Sequence, residues 1–110
     1  MAYDERLAAR VREHFAARHD LTERKMFGGL CLMLGGHMCC GILGETLMLR
    51  LGPEGTAEAL GRPHVREMDF TGRPMTGMVY IDGPGIATAK QLATWLERGT
   101  AFVATLPPKR

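Results

Sequence analysis

The sequence has few aromatic residues, an odd number of cysteines and no long apolar run, and each shortage excludes a class of protein. Aromatic residues make up 6% of the 110 residues, so the core must be aliphatic and rich in thioethers. Three cysteines argue against the paired disulfide framework of a small secreted domain. No apolar stretch approaches the roughly 20 residues that span a bilayer, and the first residues do not resemble a secretory signal. The expected location is the cytoplasm, with no membrane partner.

Charge and length narrow the possibilities further. The net charge of +2 neither demands nor excludes a nucleic-acid partner, and the basic residues are scattered without interleaved aromatics. Direct nucleic-acid binding therefore gains no support from the composition. Residues 1–110 are expected to form one domain without metal or disulfide staples. The eight methionines are interpreted as core filling in preference to an adaptable binding surface.

The stretch from residue 24 to 51 indicates a meander of three or four short antiparallel strands. The apolar run Leu30–Leu34 is followed by Gly35-Gly36, a strong hairpin signal because glycine adopts the positive φ of type I′ and II′ turns without steric cost. Gly44-Glu45 predicts a second two-residue turn, with glycine at the first central position. The predicted cross-strand pairs are Leu34–His37, Met33–Met38, Leu32–Cys39, Cys31–Cys40, Leu43–Thr46, Ile42–Leu47, Cys40–Leu49 and Cys39–Arg50.

This register divides the meander into two faces, because side chains alternate along a strand. The first face is wholly apolar and is expected to meet helices: Cys31, Met33, Met38, Cys40, Ile42, Leu47, Leu49 and Leu51. The second face mixes apolar and polar residues: Leu30, Leu32, Leu34, His37, Cys39, Leu43, Thr46, Met48 and Arg50. The mixed face is too apolar for open water, which predicts partial cover or a partner subunit. A slip of one residue in either hairpin would exchange the faces.

Helices are predicted before and after the meander. Asp4 is positioned to cap a first helix of about fifteen residues that runs toward Arg18, with an apolar stripe that includes Leu7, Val11 and Phe15. The later predicted elements are a short helix at 53–60, strands at 65–70 and 75–81, and a long helix that begins at a Thr88–Gln91 capping box. This order predicts an α+β fold in which helices pack on one face of an antiparallel sheet.

The cysteines are the residues with the most chemical potential. In the predicted register, Cys31 and Cys40 form a non-hydrogen-bonded pair with Cα atoms about 4.5 Å apart, which is within disulfide range and makes them a candidate redox pair. The alternative is that both are small buried hydrophobic residues in a reducing compartment. Cys39 is predicted beside Arg50, where a lowered thiol pKa would suit a redox or nucleophilic role.

No other group of residues forms a recognisable site. His37, Cys39 and Cys40 are close in sequence, but strand alternation leaves at most two of them on one face, and a structural zinc site needs four ligands. Gly28-Gly29 is not a phosphate loop because a strand follows where a helix should begin. We therefore predict no catalytic residue, no metal and no cofactor.

Several segments together carry a family resemblance. The segment Arg24-Lys25-Met26-Phe27-Gly28-Gly29 before an apolar hairpin, with Leu47-Met48-Leu49-Arg50 after it, resembles the N-terminal domain of the TfoX/Sxy family. The resemblance extends over roughly residues 4–107 and includes 72–80 and the last helix with Leu92, Trp95 and Leu96.

The resemblance implies a fold like that of secretion chaperones and a bacterial regulatory role in natural competence. Full-length members act with the cyclic-AMP receptor protein at competence promoters. They also carry a second, C-terminal helical domain, which residues 1–110 do not include. Cys39 and Cys40 stand where relatives often carry an aromatic and a small residue. The family supplies no catalytic residues to map onto this sequence.

We interpret the chain as a non-enzymatic regulatory or protein-interaction domain that binds transcription machinery or itself, as a homodimer. Its candidate interaction face contains Leu32, Leu34, Cys39, Met48 and Arg50. One alternative is a small-molecule-binding or thiol-active protein that uses Cys39. The other is direct DNA binding.

Overall fold

The computed structural model describes residues 3–26, 28–70 and 73–107. Phe27 of the glycine motif and Gly72 of the later family segment lie outside these ranges. The described chain contains three α-helices, a 3₁₀ turn and six antiparallel strands in the order β1-β2-β3-β4-β6-β5. The elements are α1 (Glu5–His14), β1 (Leu21–Met26), β2 (Gly29–Leu34), β3 (His37–Leu43), β4 (Thr46–Arg50), α2 (Gly52–Ala59), β5 (Val65–Phe70), β6 (Arg73–Ile81), the 3₁₀ turn (Gly83–Ile86) and α3 (Ala89–Val103). The predicted α+β fold is confirmed.

The first helix begins where the sequence predicts and ends earlier. The Asp4 carboxylate accepts a hydrogen bond from the backbone N–H of Arg6 at 2.8 Å, which caps α1. The helix ends at His14 instead of Arg18, because the chain tightens into a turn in which the Arg18 N–H donates to the Phe15 carbonyl. The Arg18 guanidinium then pairs with Asp20 at 3.0 Å, just before β1 begins.

Both predicted glycine turns are present. Gly35 and Gly36 have φ of 58° and 86°, and Gly44 has φ of 58°. The first turn pairs Leu34 with His37 and Met33 with Met38, as predicted, and the second pairs Leu43 with Thr46.

A bulge in β3 changes the register beyond the first turn. Cys39 is an extra residue between two cross-strand pairs, so Leu32 pairs with Cys40 and Cys31 pairs with Gly41. The predicted pairs Leu32–Cys39 and Cys31–Cys40 are therefore wrong. Because one extra residue reverses the side-chain alternation of one strand relative to its neighbour, the two faces predicted for β2 are exchanged.

The bulge lets the leucines of β2 share one core with the apolar residues of β3 and β4. Leu30, Leu32 and Leu34 join Ile42 and Leu49 under the helices. On α3 the buried side consists of Leu92, Trp95, Leu96, Gly99 and Val103. Gly99 allows this helix close to the sheet, since a Cβ there would lie 2.6 Å from Leu49 Cδ1. The predicted capping box is also present: Thr88 Oγ1 accepts from the Gln91 N–H at 3.0 Å, and Gln91 Oε1 accepts from the Thr88 N–H at 2.9 Å.

Candidate functional site

The sheet face that points away from the helices carries a cluster of methionines. Its buried members are Cys31, Met48, Met68, Met78 and Tyr80, and its partly buried members are Met33, Met38 and Leu43. We call these eight residues the methionine face. Five of the eight methionines in the chain belong to it, whereas the helix-side core contains none among the residues whose side chains the structure describes. The two faces of one sheet thus differ in chemistry: branched aliphatic side chains lie under the helices and flexible thioethers lie opposite.

Strand alternation and one glycine build this face. Gly41 of β3 lies between Cys31 and Met48, and a Cβ at Gly41 would lie 2.6 Å from Met48 Cε and 2.8 Å from the Leu30 carbonyl oxygen. The missing side chain lets Met48 extend across β3 to reach the β2 side. The centre of the face is therefore fully buried, while Met33 and Met38 remain partly exposed beside the first turn.

The edge strand β1 extends the methionine face. Thr22 and Arg24 pair with Met33 and Cys31, which places their side chains on the methionine side of the sheet. Both are exposed, as is Met26 at 37%. Since β1 is the last strand at this end of the described sheet, its outer backbone groups have no strand partner there.

The structure does not bring the predicted interaction residues together. Leu32, Leu34 and Cys39 are buried in the helix-side core, and Met48 lies on the opposite face. Arg50 turns toward α3, with its guanidinium 5.7 Å from the ring centroid of Phe102 and its Nη1 donating to the Met38 carbonyl at 3.4 Å. The predicted single surface is therefore wrong, and the β3 bulge is the reason.

The three cysteines are free and buried. Cys31 belongs to the methionine face, whereas Cys39 and Cys40 both belong to the helix-side core, as two adjacent residues of a bulge can. The Cys40 thiol lowers the pKa of Cys39, and Arg50 contributes only weakly to this shift. Interaction with Cys39 and burial raise the pKa of Cys40, and burial raises that of Cys31. Full burial keeps all three thiols from solvent, so they do not form an exposed nucleophilic site.

The polar and charged residues of the described ranges reach the surface. Among them, no three His, Cys, Asp or Glu side chains are grouped to hold a metal ion, and no polar or charged residue is fully buried. The ion pairs lie at the surface, as in Arg12–Glu23 at 2.8 Å and Arg66–Asp82 at 2.7 Å. Within the described ranges, no helix is both long and apolar enough to cross a membrane.

Sequence reasoning missed the methionine face, although one signal pointed to it. A glycine inside a strand often marks a bulge, and Gly41 directly follows Cys39-Cys40. A bulge placed there would have moved Met33 and Met38 away from the helix side and exposed the segregation of methionine.

The fold and this face define a small α+β domain built on a single sheet, with helices on one side and, on the other, a methionine-rich cluster whose centre is buried and whose edge is partly exposed. The family model described as the TfoX N-terminal domain matches residues 13–103, which is most of the chain. The chain belongs to this family. Neither a curated protein nor a solved structure shows significant similarity to it. Membership supports a regulatory role in general, in a family that is generally non-catalytic.

Proposed function

We propose that the chain is a non-enzymatic regulatory domain that binds a protein partner through the partly exposed side of the methionine face, at Met33 and Met38 beside the first turn. The observation that carries this proposal is the segregation of methionine: five of these side chains share the face away from the helices, and none of the described ones lies in the helix-side core. A core needs only apolar volume, which leucine and isoleucine already supply under the helices. Methionine is unbranched and polarisable, so a methionine-lined surface adapts its shape to a partner.

The charged residues at the border of the methionine face indicate what charge the partner carries. Arg24 is exposed at the β1 edge and makes no ion pair in the described part of the chain, whereas Arg66 beside Tyr80 is paired with Asp82 at 2.7 Å. Cations at the rim of an apolar surface favour acidic residues on the partner and raise the rate of association. The proposed partner is therefore a protein segment with apolar anchors and acidic flanks, and we propose the transcription machinery as its source because of the resemblance to competence regulators.

Site-specific crosslinking tests this proposal. A photoreactive residue at Met38 is expected to capture a specific protein in cells, whereas the same residue at Leu60, which is 38% exposed in the turn after α2, is the control. The captured protein is then purified and titrated calorimetrically against the native chain and the double variant Met33→Glu, Met38→Glu. We expect the double variant to lose binding and Leu60→Glu to retain it, since charge at two apolar anchors opposes burial.

Self-association is the competing form of the same proposal. A native mass spectrum in which the chain is a dimer, and in which the double variant is a monomer, would identify a second copy as the partner. Unchanged affinity of the double variant for every captured protein, together with unchanged oligomeric state, would show that the methionine face is not the binding surface.

A further inference from the structure

A basic groove lies on the other side of the molecule from the methionine face. It is an open groove with a volume of about 500 Å³, lined by the first half of α3, the loop between α2 and β5, and the 3₁₀ turn. It is larger than the clefts beside Glu13, Asp4 and Asp20, which measure about 360, 300 and 360 Å³. Its volume is in the range of pockets that bind small molecules, roughly 300–1,000 Å³.

The groove differs from these clefts in charge. Arg62, Lys90 and Arg98 line it together with His64, and no carboxylate does so among the described residues. Each of the other three clefts includes at least one Asp or Glu in its wall. Outside the groove, the exposed Glu58 carboxylate accepts hydrogen bonds from both Arg62 and Arg98, so two cations share one anion. Lys90 makes no ion pair in the described part of the chain. A net positive charge therefore faces the groove.

The walls of the groove are held in place before any ligand arrives. Trp95 lines the groove and is itself buried, and the guanidinium carbons of Arg98 and Arg62 lie 4.9 Å and 5.8 Å from its ring centroid. The His64 carbonyl accepts from the Asp82 N–H at 2.9 Å, which ties the loop to the end of β6. The Thr88–Gln91 capping box fixes the start of α3. Fixed walls reduce the ordering cost of binding.

We propose that this groove binds a small organic anion, with a carboxylate or phosphate group at Lys90 and the paired arginines and a planar or apolar body against the Arg–Trp95 stack. Arginine suits both parts of such a ligand, because its guanidinium donates to anionic oxygens and stacks on planar groups. The site is separate from the methionine face, so the proposal does not depend on partner binding there.

The chain contains its own reporter, since Trp95 is its single tryptophan. Tryptophan fluorescence is titrated with citrate, adenosine 5′-monophosphate and inorganic phosphate. We expect a saturable change with citrate or with the nucleotide, and weaker binding of inorganic phosphate, which lacks a body to stack. Saturation by citrate alone would identify a carboxylate ligand, and saturation by the nucleotide alone would identify a phosphate ester.

Two lysine variants distinguish binding in the groove from nonspecific attraction of the anion to the positively charged chain. Lys90→Gln is expected to raise the Kd about tenfold, the loss typical of one hydrogen bond to a charged group, while Lys25→Gln on the β1 edge leaves it unchanged. Lys90 is exposed, so circular dichroism should show the same fold in both variants. The proposal is overturned if none of the three probes gives a saturable change, or if the two lysine variants bind the probe equally well.

Discussion

The two glycines that open β2 show how single residues set the geometry of the sheet. Gly28 has φ of 75°, a backbone conformation that residues with a side chain rarely adopt. At Gly29 a Cβ would overlap the backbone carbonyl of Ile42 on the neighbouring strand. The glycines of the family motif therefore have a structural role: they let β2 start close against β3.

Gly29→Ala is expected to destabilise the chain by about 1–3 kcal/mol, because the atom that opposes the new methyl group belongs to a backbone and cannot rotate away. Gly83→Ala is the control, since a Cβ at Gly83 meets nothing within 4 Å. Urea unfolding of both variants measures the difference. Equal stability of the two variants would mean that β2 and β3 move apart without cost.

Among the elements, α3 depends on its capping box. Thr88→Ala removes the acceptor for the Gln91 N–H and is expected to cost about 1 kcal/mol of unfolding free energy. Thr94→Ala is the matched control within the same helix. Thr94 Oγ1 donates to the Lys90 carbonyl, which already accepts a backbone hydrogen bond of the helix, and alanine has a higher helix propensity than threonine. The midpoint of thermal unfolding should therefore fall for Thr88→Ala and not for Thr94→Ala. A drop of the same size in both variants would mean that loss of the cap does not cause the destabilisation.

The ion pair between α1 and β1 makes the stability of the chain depend on pH. The hydrogen bond from Arg12 lowers the pKa of Glu23. Because the folded-state pKa lies below the unfolded one, the pair stabilises fully above the unfolded-state pKa, and this contribution is lost as pH falls through the folded-state pKa. Both side chains are partly exposed, which limits the effect to at most about 1 kcal/mol.

Glu23→Gln is expected to be less stable than the native chain near neutral pH, and this difference is expected to shrink at about pH 3, because acid protonates the native glutamate progressively and removes the ion pair. Urea unfolding at both pH values provides the comparison. Glu13→Gln, on the exposed side of α1, is expected to match the native chain at both. A difference for Glu23→Gln that persists unchanged in acid would assign it to packing of the side chain.

The helices and hairpins were predictable because their sequence signals are local. The methionine face was not predicted because it depends on the pairing of residues from different strands. Capping residues, glycine turns and apolar periodicity fixed the helix starts and both hairpins. The sequence marks the bulge at Cys39 only through Gly41 inside the strand, and Leu32 and Met33 are both apolar, so hydrophobic alternation does not show which of them faces the helices. The register error of one residue between β2 and β3 therefore led to the wrong choice of interaction residues and hid the methionine face.

At the scale of the whole molecule, the sheet has two unlike apolar sides, and the question is whether they unfold in one cooperative step or independently. The helix-side core holds Cys39 and Cys40, and the methionine face holds Cys31, so a buried thiol reports on each side. A small domain with one sheet is expected to behave as a single cooperative unit. Exposure of any thiol then requires the same global opening.

Thiol labelling in the native state tests this cooperativity. We expect all three thiols to react slowly with a disulfide reagent, at one common rate, and rapidly in denaturant. Gly29→Ala should speed all three equally, by about tenfold for each 1.4 kcal/mol of lost stability, because the open population rises by that factor. Labelling of Cys31 first would mean that the methionine face opens alone. Fast labelling of Cys39 in the native chain would contradict the single-unit prediction and favour a thiol-active protein.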